Sequence, residues 1–192
     1  MNIHNFTPFT PSWEEIFEKQ TGLKFQYEPE SLEVFKNFDI DCLEDQEVFK
    51  KYCWRITEEL CETMEAVFKD GMDHAQEEII DAMNFSIELM ILYGWDPRHF
   101  KKGPSTTLFG CRIFDKIEAT LYYLGLAANC LKNRQWRKSQ YMVDLLVFEN
   151  RFGQFLSEGY QLLMKFFESD EEIRKAWSLK YQVNLFRIKS NY

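Results

Sequence analysis

The run EEIIDAMNFSIELMILYGW, residues 77–95, repeats apolar side chains at helical spacing and meets no glycine or proline until Gly94. A chain built on such runs folds by packing helix on helix. Among its acids are Glu78 and Asp81, three apart in one of the most apolar stretches of the sequence, where an unpaired charge is costly. A second pair, Glu59 and Glu62 in EELCE, lies one predicted helix earlier. Residues three apart sit on neighbouring turns of one helical stripe, so each pair projects from one face, and two such helices side by side converge four carboxylates. Either pair alone fits a solvated face. Together and in this context they fit a site for a hard divalent cation, which removes the repulsion between the carboxylates and prefers oxygen ligands.

Punctuation along the rest of the chain is sparse, with 8 Gly and 5 Pro, and no segment alternates in twos, so the predicted class is all-α. The 192 residues fit one domain spanning 1–192, and 18 Phe supply its core. Residues 1–12 read as an extended, proline-bearing arm that ends at Ser12, an N-cap with Glu15 as its capping-box partner. Helices are predicted over residues 13–23, 45–70 and from 73 or 74 to Gly94, then over 114–133 and 139–168, and onward from an N-cap at Ser169 or Asp170. The stretch at 100–110 is the clearest loop. Tyr122, Tyr123, Phe148, Phe152 and Phe155 form an aromatic stripe expected to pack in the core. Trp54 reads as core, the commoner fate, or as a wall for a base. Near the end, Lys180, Asn184 and Arg187 fall at i, i+4 and i+7 on one helical face.

A net charge of −8 argues against nucleic-acid binding, because an acidic surface repels the phosphate backbone. A polyphosphate can still enter a cleft where metal and local cations invert the field. The five Cys are odd in number and lack a C-x-x-C, as expected of reduced thiols in a cytoplasmic protein, and the three His lack zinc spacing. No run of about 18 apolar residues supports a membrane span, and no leader pattern opens the chain.

Glu59-Leu60-Cys61-Glu62 and Glu78-Ile79-Ile80-Asp81, 15 residues apart, resemble the E-x-x-E and E-x-x-D signature of the all-α NTP pyrophosphatases. That superfamily includes the MazG-like enzymes, the dimeric dUTPases and the bacteriophage dCTPase-dUTPases. Lys180, Asn184, Arg187 and Tyr192 are similar to the late K-x-x-x-N-x-x-R segment and following Tyr of the dUTPase and dCTPase branch. Two positions depart from it: Asn84 stands where many dUTPases have His, and Asn191 where they have Gly.

The resemblance implies a helical bundle of the dimeric dUTPase or MazG-like type and a homodimer. It implies Mg²⁺-dependent hydrolysis of a deoxynucleoside triphosphate, most of all dUTP, to monophosphate and pyrophosphate. Glu59, Glu62, Glu78 and Asp81 would hold Mg²⁺, and one of Glu59 and Glu62 would also accept the proton of the attacking water. The terminal segment 176–192 would order over the nucleotide and place Lys180, Asn184, Arg187 and Tyr192 on its phosphates. Asn84 would meet the deoxyribose, or else serve packing between helices; Gln20 resembles a family glutamine near the base, or else is an exposed helix residue. The alternatives are a dCTPase, a dual dCTPase-dUTPase, a purine dNTP pyrophosphatase, or a non-catalytic helical module that binds a nucleotide or protein. The expected setting is the cytosol of a bacterium or of a phage-infected host, where such an enzyme would keep uracil or cytosine out of phage DNA.

Overall fold

The computed structural model describes residues 6–100 and 110–190, and among them it is all-helical, with seven α-helices and no strand. Tyr192 and all but the ends of the predicted loop at 100–110 lie outside the described residues. Among the described residues no helix is long and apolar enough to cross a membrane.

Helix α1 (Trp13–Tyr27) starts at the predicted capping box, with the Ser12 hydroxyl accepting from the Glu15 N–H and the Glu15 carboxylate accepting from the Ser12 N–H. It runs four residues further than the sequence suggests. A short α2 (Leu32–Asn37), preceded by a 3₁₀ turn at Pro29–Ser31, occupies a stretch with no predicted element. Helices α3 (Leu43–Lys69) and α4 (Met72–Tyr93) form an antiparallel hairpin joined by Asp70 and Gly71. The tight reversal needs Gly71 at φ +97°, and Gly94 ends α4 at φ +80°; both angles lie in the region that a Cβ disfavours.

A second hairpin pairs α5 (Ile113–Cys130) with α6 (Leu145–Phe166). Helix α6 begins six residues after its predicted start, because the Asp144 carboxylate caps it by accepting from the Val147 N–H. Phe148, Phe152 and Phe155 are buried as expected, and the Phe49 ring packs edge-on to Phe148 with centroids 5.4 Å apart. Each fully buried Phe contributes about 1.5–3 kcal/mol. Tyr123 is buried with them, whereas Tyr122, its neighbour in the stripe, is half-exposed.

The two hairpins are tied by this aromatic layer, and α5 and α6 by a buried ion pair, Lys116 Nζ to Glu158 Oε2 at 2.8 Å, with the Gln161 side-chain oxygen 2.7 Å from the same ammonium. Removing Lys116 takes away the ammonium that pairs with the buried Glu158 carboxylate. Lys116→Ala is expected to cost about 3–5 kcal/mol in denaturant titrations, and Lys116→Met combined with Glu158→Leu to recover most of it.

Helix α7 (Asp170–Lys189), capped by Ser169, the first of the two predicted positions, lies against α1 and α4. Its Trp177 is fully buried, and Tyr181 stacks on Trp177 at 5.0 Å. The extended arm reaches the same helix: the Phe9 N–H donates to the Ser178 hydroxyl, and Arg174 donates to the Pro11 carbonyl. The C-terminal cations therefore stand on a packed helix instead of a loose segment awaiting nucleotide.

Candidate metal and anion cleft

On α3, Ile56, Leu60 and Thr63 face the core, and Glu59 lies at the edge of that stripe, half-buried. On α4, Ile79, Ile80, Ala82 and Met83 are buried around Glu78 and Asp81, which keep only a fraction of their side chains exposed. Antiparallel packing brings one carboxylate oxygen from each of Glu59, Glu78 and Asp81 within 4.8 Å of one another. Neighbouring ligand oxygens around one Mg²⁺ at about 2.1 Å are about 3.0 Å apart, so the three carboxylates would have to draw closer together to share an ion. Glu62 is outside the triad: it is exposed, and it acts on Glu59 and Glu78 through its charge.

Burial pushes the Glu59 carboxyl up to about 7, and the charges of Asp81, Glu62 and Glu78 push in the same direction against Lys180. Burial likewise raises Glu78, with Asp81 adding to it. Lys180 reaches across from α7 to form an ion pair with Asp81, and His74 Nε2 stands 3.4 Å from Glu78 Oε1. The Lys180 ammonium thus offsets part of a repulsion that a divalent ion would cancel.

The pH dependence follows from the raised pKa of Glu59. Between its ordinary 4.5 and about 7 the folded protein holds more protons than the unfolded chain, so metal-free stability falls as pH rises through that window. A metal competes with the same proton. Thermal melts are expected to show little effect of Mg²⁺ at pH 5 and clear stabilisation at pH 8; equal shifts at both would remove Glu59 from the ligand set.

The triad opens into a cleft of about 650 Å³ between α1, α3, α4 and α7, within the usual range for a small-molecule site. Glu59, Asp81, Asn84, Lys180, Asn184, Arg187 and Gln20 all line it. Of the sequence-predicted site residues, Glu78 joins through the triad, Glu62 stays on the outer side, and Tyr192 is outside the described residues.

Asn84 is 7% exposed. Its side-chain N–H₂ group lies 3.5 Å from Asp81 Oδ1, while its Oδ1 is buried without a hydrogen-bond partner. A buried acceptor left open at the wall of a polar cleft is unfavourable unless a ligand donor completes it.

Trp54 is 64% exposed and does not line the cleft, so neither of its expected roles is seen; Cys53 and Ile56 take the inward positions of that turn. Several lining residues escaped the sequence reading. Lys24, Tyr27, Arg55, Phe85 and Glu88 complete the walls, with the Arg55 guanidinium 5.1 Å over the Phe85 ring and the Tyr27 hydroxyl donating to the Asn184 carbonyl at 3.1 Å. Glu88 left a signal: it is an acid inside SIELMIL, seven residues after Asp81 and hence on the same stripe of α4. No family model, no curated protein and no solved structure matches the chain.

Proposed function

We propose that the cleft binds a deoxynucleoside triphosphate together with Mg²⁺ and hydrolyses it to the monophosphate and pyrophosphate, with dUTP as the preferred substrate. The observation that carries this reading is the junction, in one cleft, of an acidic triad, an unpartnered buried Asn84 oxygen and a row of α7 cations.

Glu59, Glu78 and Asp81 would hold the ion. A bound divalent cation supplies charge neutralisation on phosphate oxygens and acidifies a coordinated water. Lys180 and Arg187 bind the phosphates, Arg187 through its planar fork, and the Asn184 side chain adds hydrogen bonds. Lys180 makes this switch by leaving Asp81 for the incoming phosphate. Asn84 Oδ1 accepts from the sugar 3′-hydroxyl, which fills its open valence. In the hydrolytic step the water oxygen bonds to phosphorus, the bridging P–O bond to the pyrophosphate breaks, and the water's proton passes to a carboxylate of the first pair, Glu59 or Glu62. Substrate positioning and charge neutralisation account for the catalysis without a covalent residue.

A homodimer belongs to this reading, and the apolar side chains of Trp136, Met142 and Leu146, exposed in and near the start of α6, supply surface for it. The function is tested by a panel of dNTPs and NTPs with chromatographic identification of products. The expected result is dNMP and pyrophosphate from dUTP or its pyrimidine relative. Release of orthophosphate and dNDP, or no release from any nucleotide, would refute it.

A further inference from the structure

The cleft has a second polar centre, two helical turns from the triad. Glu88 follows Asp81 by seven residues on α4, about 10 Å along the axis, with Asn84 between them. Along this one helix the metal ligands, the open Asn84 oxygen and Glu88 lie in the order of phosphate, sugar and base in a nucleotide, which puts the heterocycle at Glu88.

The groups there are buried and directional. Glu88 is 7% exposed and Gln20 3%, and the Gln20 side-chain N–H₂ donates to Glu88 Oε1 at 2.8 Å. The Tyr52 hydroxyl faces the same carboxylate. Lys24 lies 3.7 Å from Glu88 Oε2 but pairs more closely with Glu28, at 2.8 Å. Burial raises the Glu88 carboxyl, but the Lys24 ammonium, the Gln20 N–H₂ and the Tyr52 hydroxyl gathered around it favour its charged, accepting form, and the donation from Gln20 to Glu88 leaves the Gln20 carbonyl oxygen as the free end. Flipping the amide would set oxygen against oxygen in a buried site, which holds the orientation fixed.

We propose that Glu88 is a positioning residue that locks the Gln20 amide with its oxygen toward the base, and that this fixed acceptor selects uracil over cytosine. Uracil carries an N–H donor at N3. Cytosine carries a lone pair there, which would face the Gln20 oxygen without a proton between them. Discrimination of this kind is large, because the wrong base leaves buried polar groups unpaired. Glu88→Gln supplies a side chain that both donates and accepts, releases the amide to turn its N–H₂ toward cytosine N3, and leaves Lys24 paired with Glu28.

This inference rests on the proposed nucleotide reading, and the experiment separates the two. Binding of the non-hydrolysable α,β-imido analogues of dUTP and dCTP, and of inorganic triphosphate, is measured by calorimetry with Mg²⁺ for the full chain and its variants. The wild type is expected to favour the dUTP analogue, and Glu88→Gln to shift the dUTP-to-dCTP preference toward dCTP by tenfold or more with triphosphate affinity unchanged. Gln20→Met, which keeps the length and removes the amide, is expected to lose the preference as well, and adding Glu88→Gln to it to change nothing further. A merely structural Glu88 would weaken all three ligands together. A wild-type preference for the dCTP analogue, or an unaltered preference in either single variant, overturns the inference while the cleft remains a nucleotide site. Failure of the wild type to bind any of the three ligands refutes the nucleotide reading, and this inference with it.

Discussion

Glu59→Gln is expected to reduce Mg²⁺-dependent turnover by about 10³-fold or more while raising the melting temperature of the metal-free protein at pH 8. The loss of rate reflects several kcal/mol of transition-state stabilisation that a metal supplies through its ligands. The gain in stability has a separate origin. Glu59 is a half-buried carboxyl pushed up to about 7 by burial and by three neighbouring acids, so above that pH the folded state carries an unfavourable charge that glutamine lacks. Because Glu59 is half-exposed, solvent screens part of this repulsion and the stabilisation is modest. The stabilising effect of added Mg²⁺ should shrink in the same variant. Thermal melts with and without Mg²⁺, beside steady-state rates, read all three; a Glu59→Gln protein that is less stable and fully active would mark the carboxylate as structural.

Lys180→Ala moves stability the other way. It removes the cation paired with Asp81, so the triad repels more strongly and the metal-free protein is expected to melt lower at pH 8. Its activity falls with that of Arg187→Ala, since each variant removes a charge-assisted hydrogen bond to phosphate worth about 1.5–3 kcal/mol, or roughly 10- to 100-fold in kcat/KM. Arg187 is exposed at the rim of the cleft, so its loss is expected to reduce activity with little change in melting temperature. Two variants that both weaken catalysis but shift stability with opposite sign, Glu59→Gln and Lys180→Ala, separate an electrostatic site from a folding defect. Truncating the chain at residue 180 tests this poorly: it also removes Tyr181, which stacks on Trp177, and the Asn184 carbonyl that receives Tyr27.

The helix order was legible because local rules and tertiary packing agree. Ser12 with Glu15, Gly94 and Ser169 each end or start a helix by their own chemistry, and the structure uses them so. The acidic pairs were legible because carboxylates within an apolar run are costly without a partner. The sequence could not distinguish Glu62 from Glu59. Both satisfy the i, i+3 spacing, and only the rotation of α3 against α4 decides that Glu59 turns inward and Glu62 outward. Trp54 misled for a related reason, since side-chain size favours burial while its place on the helix faces solvent. The Gln20–Glu88 pair spans 68 residues, and no local pattern links an amide on α1 to an acid on α4. Such long-range hydrogen bonds are set by packing.

The most direct measurement of the central claim is pyrophosphate release from dUTP by the wild-type protein with Mg²⁺, with EDTA, and after Mg²⁺ is restored. The expected result is turnover with Mg²⁺, none with EDTA and full recovery on adding the ion back. No release under any of the three conditions, or release that EDTA leaves untouched, would contradict the account.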